Sequence, residues 1–181
     1  IYKQYDSQVQ ANTVFKPGES DAAVIRLREQ NEKNKNKVFS GFAASVDCNS
    51  RWVFLDPFRG TIAAVAESAR NVSCVGAEPV AITNNLNFSS PETEIGYWQL
   101  SSSCNGISEA CKAFETPVTG GNVSLYNESK NKDNEITPIN PTPVIGMVGK
   151  IDNVKKAISS KWKNIHDQIW LIGSYKSETT I

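Results

Sequence analysis

Short apolar blocks separated by polar ones run the length of the chain, and their periods predict its elements. AAVIRL (22–27) reads as a strand, and VFSGFAASV (38–46) as a second one that delivers Asp47, Cys48 and Asn49 at its end. Between them REQNEKNKNK has no period and predicts an exposed loop. RWVFLDP is a further apolar, aromatic stretch closed by Pro57. From Thr61 onward Ile62, Val65, Ala66, Ala69, Val72 and Val75 follow the 3.6-residue period of a helix, with Thr61 as N-cap and Gly76 as the stop. Val80–Thr83 reads as a strand running into an Asn-rich polar tip. A second helix is expected between Ile95 and Phe114, with Trp98, Ile107 and Cys111 on one buried stripe and Gly106 as its weak point.

The remaining pattern is TPV, then GGN, then VSLYN, a second polar loop in NESKNKDNEITPINP, and a strong strand in TPVIGMVGKI. IDNVKKAISSKW predicts a short helix, and QIWLIGSY the first strand of a new unit. Residues 1–20 read as extended, ending in the turn signal KPGES. Strands and helices alternate unevenly with hairpin-like returns, which favours α+β over a purely parallel α/β sheet.

Composition narrows the classes. With 181 residues, 39% hydrophobic and 21% charged, the chain is long enough for one packed domain with the start of a second. The formal net charge is zero and no basic stripe exists, so no nucleic-acid partner is expected. No apolar run approaches the roughly 18–20 residues of a membrane span. The polar start IYKQYDSQVQ is not a signal peptide; without an initiator Met it is a mature end, an expression boundary or the edge of a fragment.

Candidate chemistry is sparse. Cys48, Cys74, Cys104 and Cys111 form no CxxC and there is one His, so no zinc site is expected and the thiols read as buried and reduced. His166, between Trp162 and Trp170, reads as a packing or surface residue. No nucleophilic triad, GxxxxGK(S/T) loop or GxGxxG is present. Three polar clusters at predicted strand ends remain: Asp47–Asn49, Thr83–Asn87 and Gly120–Ser124. Paired glycines let backbone N–H groups approach a phosphate, an Asn oxygen suits magnesium, and a Ser hydroxyl donates to phosphate. Each cluster is also accounted for as a turn closed by its own Asx hydrogen bonds, and residue type alone does not decide between the two.

QYDSQVQANTV, DAAVIRL, VDCN, ESARNVSCVGAEPVAITNNLNF, GISEACKAFETPVTGGNVSLYNES and PTPVIGMVG together resemble the phosphoribosylformylglycinamidine synthase family, specifically its synthetase subunit II. The resemblance implies an aminoimidazole ribonucleotide synthetase-type α+β domain, with a mixed, largely antiparallel sheet packed on helices. It implies a linker at 1–20, the N-terminal-like domain of the second synthetase half at 21–152, and the truncated start of a C-terminal-like domain at 153–181. The implied reaction joins formylglycinamide ribonucleotide, ATP and glutamine-derived ammonia in the cytoplasm, with Mg2+, to give formylglycinamidine ribonucleotide, ADP and phosphate. The implied partners are a glutaminase subunit or domain, a small accessory subunit and the first half of the synthetase.

By the same resemblance Gly121 touches ATP, Asn122 binds magnesium and Ser124 binds substrate. Asn84 stands where the family has an ATP-binding Asp in T-D-N-L-N-F, so it keeps an acceptor oxygen and loses the charge. Ser89-Ser90-Pro91 replaces Gly-Asn-Pro, and the loops at Glu29–Lys37 and Lys130–Asn140 are longer than usual. The family's catalytic His belongs to the first half, so this stretch by itself is expected to be inactive. A non-catalytic pairing domain that completes the barrel and nucleotide site is the alternative. Selenophosphate synthetase and thiamine-monophosphate kinase share the superfold, but their signature motifs are absent here.

Overall fold

Asp56 sets the start of the helical layer. Its N–H closes a short helix, α1 (Ser50–Leu55), by donating to the Trp52 carbonyl at 2.9 Å. Its side chain then accepts from the Arg59 N–H at 2.9 Å and caps α2 (Pro57–Cys74), with Pro57 in the first turn where a missing N–H costs nothing. The helix therefore begins a turn before Thr61, which is fully buried inside it and not its cap. Gly76, at φ 85°, ends it as expected, its N–H reaching Ser73. The computed structural model describes residues 9–28 and 39–173. The polar loop at Glu29–Lys37 and residue Val38 lie outside these.

The second long helix, α3 (Glu94–Phe114), is capped by the Thr93 hydroxyl, which accepts from Gly96 at 3.1 Å. Glu115 closes it in the left-handed region at φ 55°. Its buried stripe is Gly96, Gln99, Ser103, Gly106, Ile107 and Ala110. That spacing leaves Trp98 on the outer side, 51% exposed, and off the stripe the periodicity assigned it to. Gly106 is the contact point between α2 and α3: a Cβ there would lie 2.5 Å from the Phe58 carbonyl oxygen.

Five strands form one sheet, β1 (Ala23–Arg26), β2 (Gly41–Asp47), β3 (Glu78–Asn87), β4 (Val118–Ser124) and β7 (Thr142–Ile151), in the order β1-β2-β7-β3-β4. Only β3 and β4 run parallel. The architecture is thus α+β with a mixed, largely antiparallel sheet. Alternate residues Ala43, Ile82, Ile145 and Met147 face α2 and α3 and meet Val65, Ala69, Val72, Ile107 and Ala110 in a single core. The opposite face carries no helix among the described residues, and Val46 there is 73% exposed.

Other expectations are corrected. The second polar loop contains a hairpin, β5 (Glu128–Lys130) with β6 (Ile136–Pro138), too short to show a period. IDNVKKAISSKW forms only a three-residue 3-10 turn at Val154–Lys156. Its backbone is diverted to tethers instead: Ile158 N–H donates to Val75 O and Ser160 N–H to Glu19 O. Residues 168–173 of QIWLIGSY form no strand, since no strand lies beside them to pair with; Ser174 and Tyr175 lie outside the described residues. Cys74 and Cys104 are exposed, not buried, although all four thiols are free. His166 is on the surface, as its setting indicated.

Helix propensity and packing oppose each other at Gly106. Ala would gain about 1 kcal/mol of helix propensity, but its methyl meets a backbone oxygen that cannot retreat. Gly106→Ala is expected to lose about 1–3 kcal/mol net, measured as a lower urea midpoint at unchanged m-value. Cys104→Ala, on the exposed side of the same helix, is expected to stay within about 0.5 kcal/mol.

Candidate functional site

The first polar cluster is consumed by the fold. The Asp47 carboxylate accepts from Ser68 Oγ at 2.8 Å and Asn71 Nδ2 at 2.9 Å, locking β2 to α2. Asn49 caps α1 by accepting from Arg51 and Trp52. Burial, and then the Glu67 charge, push the Cys48 thiol up to about 11, which suits a packed residue and not a nucleophile.

The other two clusters are not loops. Thr83–Asn87 lies within β3 and Gly120–Ser124 within β4, paired in parallel register: Thr83 with Gly120, Asn84 with Gly121, Asn85 with Asn122, Leu86 with Val123, and Asn87 with Ser124. Asn and Gly have poor strand propensity, but the ladder and β7 on the far side of β3 override it. The turn reading of TGGNVS is therefore replaced by a strand. Gly121 is needed there because a Cβ would land on the Asn84 side chain and 2.6 Å from its carbonyl oxygen, whereas Gly120 has nothing within 4 Å. β4 is the last strand of the sheet, so one side of its backbone has no strand partner among the described residues.

Side-chain alternation splits the four candidate residues between two faces. Asn84 and Gly121 lie on the helix side. Asn84 there helps line a cavity of about 600 Å³ with Cys104, Ile107, Cys111 and Lys112. Asn122 and Ser124 lie on the open side. The Asn122 amide donates to Asn85 Oδ1 at 3.3 Å, which leaves its own oxygen without a hydrogen bond among the described residues. Ser124 Oγ is held by Asn127, donating to Oδ1 at 3.2 Å. Asn127 also donates to the Phe88 carbonyl at 3.0 Å and so clamps the ends of β3 and β4 together. Sequence reasoning passed over Asn127; an Asx residue three after a candidate Ser was the available signal.

On the helix side Lys112 and Glu115 line the cavity beside Asn84, whereas the chemistry on offer along β4 itself and the open face is neutral. It consists of amide and hydroxyl oxygens, a small-residue surface and free strand-edge amides. Among the described residues no group of three His, Cys, Asp or Glu could hold a metal ion, and no helix is long and apolar enough to cross a membrane. Such a set can supply single ligands to a hard cation and contacts to a phosphorylated substrate, but no general acid or base.

The family model for AIR synthase related protein, N-terminal domain, matches residues 19–151. The chain belongs to this family. The phosphoribosylformylglycinamidine synthase subunit PurL of Prochlorococcus marinus strain MIT 9312 is 94% identical over 181 residues, which is 100% of this chain and 23% of that protein. The chain thus spans about a quarter of the length of the curated relatives it matches. Among solved structures, PurLQS from Thermotoga maritima matches with TM-score 0.70 and 35% identity over 88% of this chain and 24% of that one. T. maritima PurL complexed with ATP gives 0.69 and 36% over 86% and 23%. The same protein complexed with FGAR gives 0.64 and 35% over 86% and 23%.

The two adjacent glycines are expected to differ sharply on substitution. Gly121→Ala should lose about 1–3 kcal/mol, because the Asn84 backbone must move as well as its side chain. Gly120→Ala should change stability by under about 0.5 kcal/mol. Paired urea melts check this, and equal midpoints for the two variants would contradict the packing described.

Proposed function

We propose that this chain is part of phosphoribosylformylglycinamidine synthase, an ATP-dependent ligase of purine biosynthesis. The enzyme converts formylglycinamide ribonucleotide and glutamine-derived ammonia to formylglycinamidine ribonucleotide, ADP and phosphate. The observation that carries this reading is the 94% identity to a PurL subunit across the whole chain. The T. maritima chains complexed with ATP and with FGAR support the two substrates.

In this reading the chain supplies one wall of the site. Gly121 lets nucleotide approach the β4 backbone, with Asn84 beside it. Ser124, held by Asn127, meets the ribonucleotide substrate. Asn122 offers its unbonded Oδ1 to magnesium, and a neutral hard oxygen fits as one ligand of a shell completed by phosphates and water. Bound magnesium offsets phosphate charge during transfer. Asn84 in place of the family's Asp orients nucleotide without adding charge.

The domain division follows the same reading: a linker at 1–20, the N-terminal-like domain of the second half at 21–152, and the opening of a C-terminal-like domain from 153. The open sheet face, where Val46 is exposed, fits pairing with the first half of the synthetase. A glutaminase and a small accessory subunit complete the assembly in the cytoplasm, in keeping with the T. maritima PurLQS structure.

Asn122→Ala in the full-length enzyme is expected to raise the magnesium concentration for half-maximal ADP formation at least about tenfold, the size of effect seen when even an outer partner of a metal site is disturbed. Unchanged magnesium dependence would remove Asn122 from the metal site. The 181-residue chain alone is expected to release no ADP with ammonia, ATP and formylglycinamide ribonucleotide, since its described residues hold no acid–base group at β3–β4. Measurable ammonia-dependent turnover by the isolated chain would overturn the one-wall reading.

A further inference from the structure

A second cavity, of about 560 Å³, opens between the start of α3, the β5–β6 hairpin and α1. It shares no lining residue with the β3–β4 candidates. Its volume falls in the range of small-molecule pockets. Gln99 lines it at 6% exposure, and its side-chain amide has no hydrogen bond among the described residues. Ser89, also 6% exposed, lines the same cavity with an unpartnered hydroxyl. Neither polar group is sealed off, unlike the buried hydroxyls of Thr61 and Thr116, so both open into the cavity and are free to bond what enters it.

The rest of the lining defines the chemistry. Phe54, Ile95 and Ile139 provide apolar walls. Glu128 accepts from the Ser90 N–H at 2.8 Å through Oε1, which leaves Oε2 as a further acceptor. Among the described residues no Lys or Arg lines the cavity. The first-turn N–H of Gly96 is already taken by Thr93, and Glu94 adds negative charge to that helix end. A phosphate is therefore excluded. A Gln amide sets a donor and an acceptor side by side, the geometry that pairs with the amino and ring-nitrogen edge of adenine. Flat aromatic faces pack on a Phe ring.

We propose that this cavity binds an uncharged aminopurine base or nucleoside, with Gln99 reading its amino/ring-nitrogen edge, Ser89 and Glu128 meeting its remaining polar groups, and Phe54 packing on its face. The site is separate from the ligase reading and stands or falls independently of it.

The test is calorimetric titration of the full-length protein with adenosine. Adenosine is expected to bind, Gln99→Leu to weaken it by about tenfold or more, the loss of one bidentate edge, and purine riboside, which lacks the amino group, to show the same weakening on the unaltered protein. Excess ATP with magnesium is expected to leave adenosine binding unchanged. Gln99→Leu is close in volume and removes an unpartnered amide, so its melting temperature should hold or rise, and Gln99→Glu gives a second variant with the acceptor kept and the donor lost. The proposal is overturned by no binding at millimolar adenosine, by equal affinity in Gln99→Leu, or by displacement of adenosine by ATP, which would put adenosine at the nucleotide site. A large drop in melting temperature for Gln99→Leu also overturns it, because the amide would then be satisfied by another segment of the longer protein.

Discussion

An edge strand made of VTGGNVS has almost nothing to bury, so its backbone must hold it. Every residue of β4 but the last is exposed. What fixes it is the parallel ladder to β3, reinforced by two side-chain bonds across the pair: Thr83 Oγ1 to Gly120 O and Thr119 Oγ1 to Ile82 O, both at 3.1 Å. The Asn127 clamp closes the open end. Each bond contributes only about 1 kcal/mol net, and their placement along one ladder is what keeps the register. A one-residue slip would carry Asn122 and Ser124 to the helix side and turn Gly121 outward. The contact of Asn84 with the Cβ-less Gly121 blocks the slip that would bring Asn122 there, because a Cβ in that place would collide with Asn84.

Much of the scaffold was legible because burial writes a period into sequence. α2, α3 and the strands β1, β2 and β7 alternate or repeat as their buried faces require. The missing parts share a cause: their structure depends on partners that are distant in sequence. The second half of β3 and the Gly-Gly-Asn centre of β4 read as Asn- and Gly-rich breaks between strands, yet each is continuous strand once the other lies beside it. The start of α2 was misplaced because Thr61 resembles a cap, while Asp56 and Pro57 form the better one a turn earlier. Residues 168–173 have strand composition but no strand beside them among the described residues, so composition alone did not make one.

The candidate residues were legible as identities and not as an arrangement. Gly121, Asn122 and Ser124 are close in sequence, but alternation along β4 sends the first to one face and the other two to the opposite one. A ligand that meets all three must cross the free edge of the sheet. That makes the unpaired amides of β4 part of the surface it touches, a feature invisible in residue types. The chemistry is also incomplete by charge. Neutral oxygens can position a phosphate and share a cation, but cannot balance either one. The charge has to come from elsewhere, which agrees with a chain that spans 23% of its 94% identical relative.

The tripeptide Ser89-Ser90-Pro91 connects the end of β3 to the lining of the Gln99 cavity. The Ser90 carbonyl accepts from the Thr93 hydroxyl at 3.0 Å, and its N–H is held by Glu128. The Ser89 carbonyl accepts from the Tyr126 N–H at 3.4 Å. The Ser90 side chain adds one more bond, its Oγ accepting from the Glu92 N–H at 3.3 Å. These bonds tie the tripeptide to the stretch that follows Ser124, so Glu128, which lines the Gln99 cavity, is the sequence neighbour of Asn127, whose clamp holds Ser124.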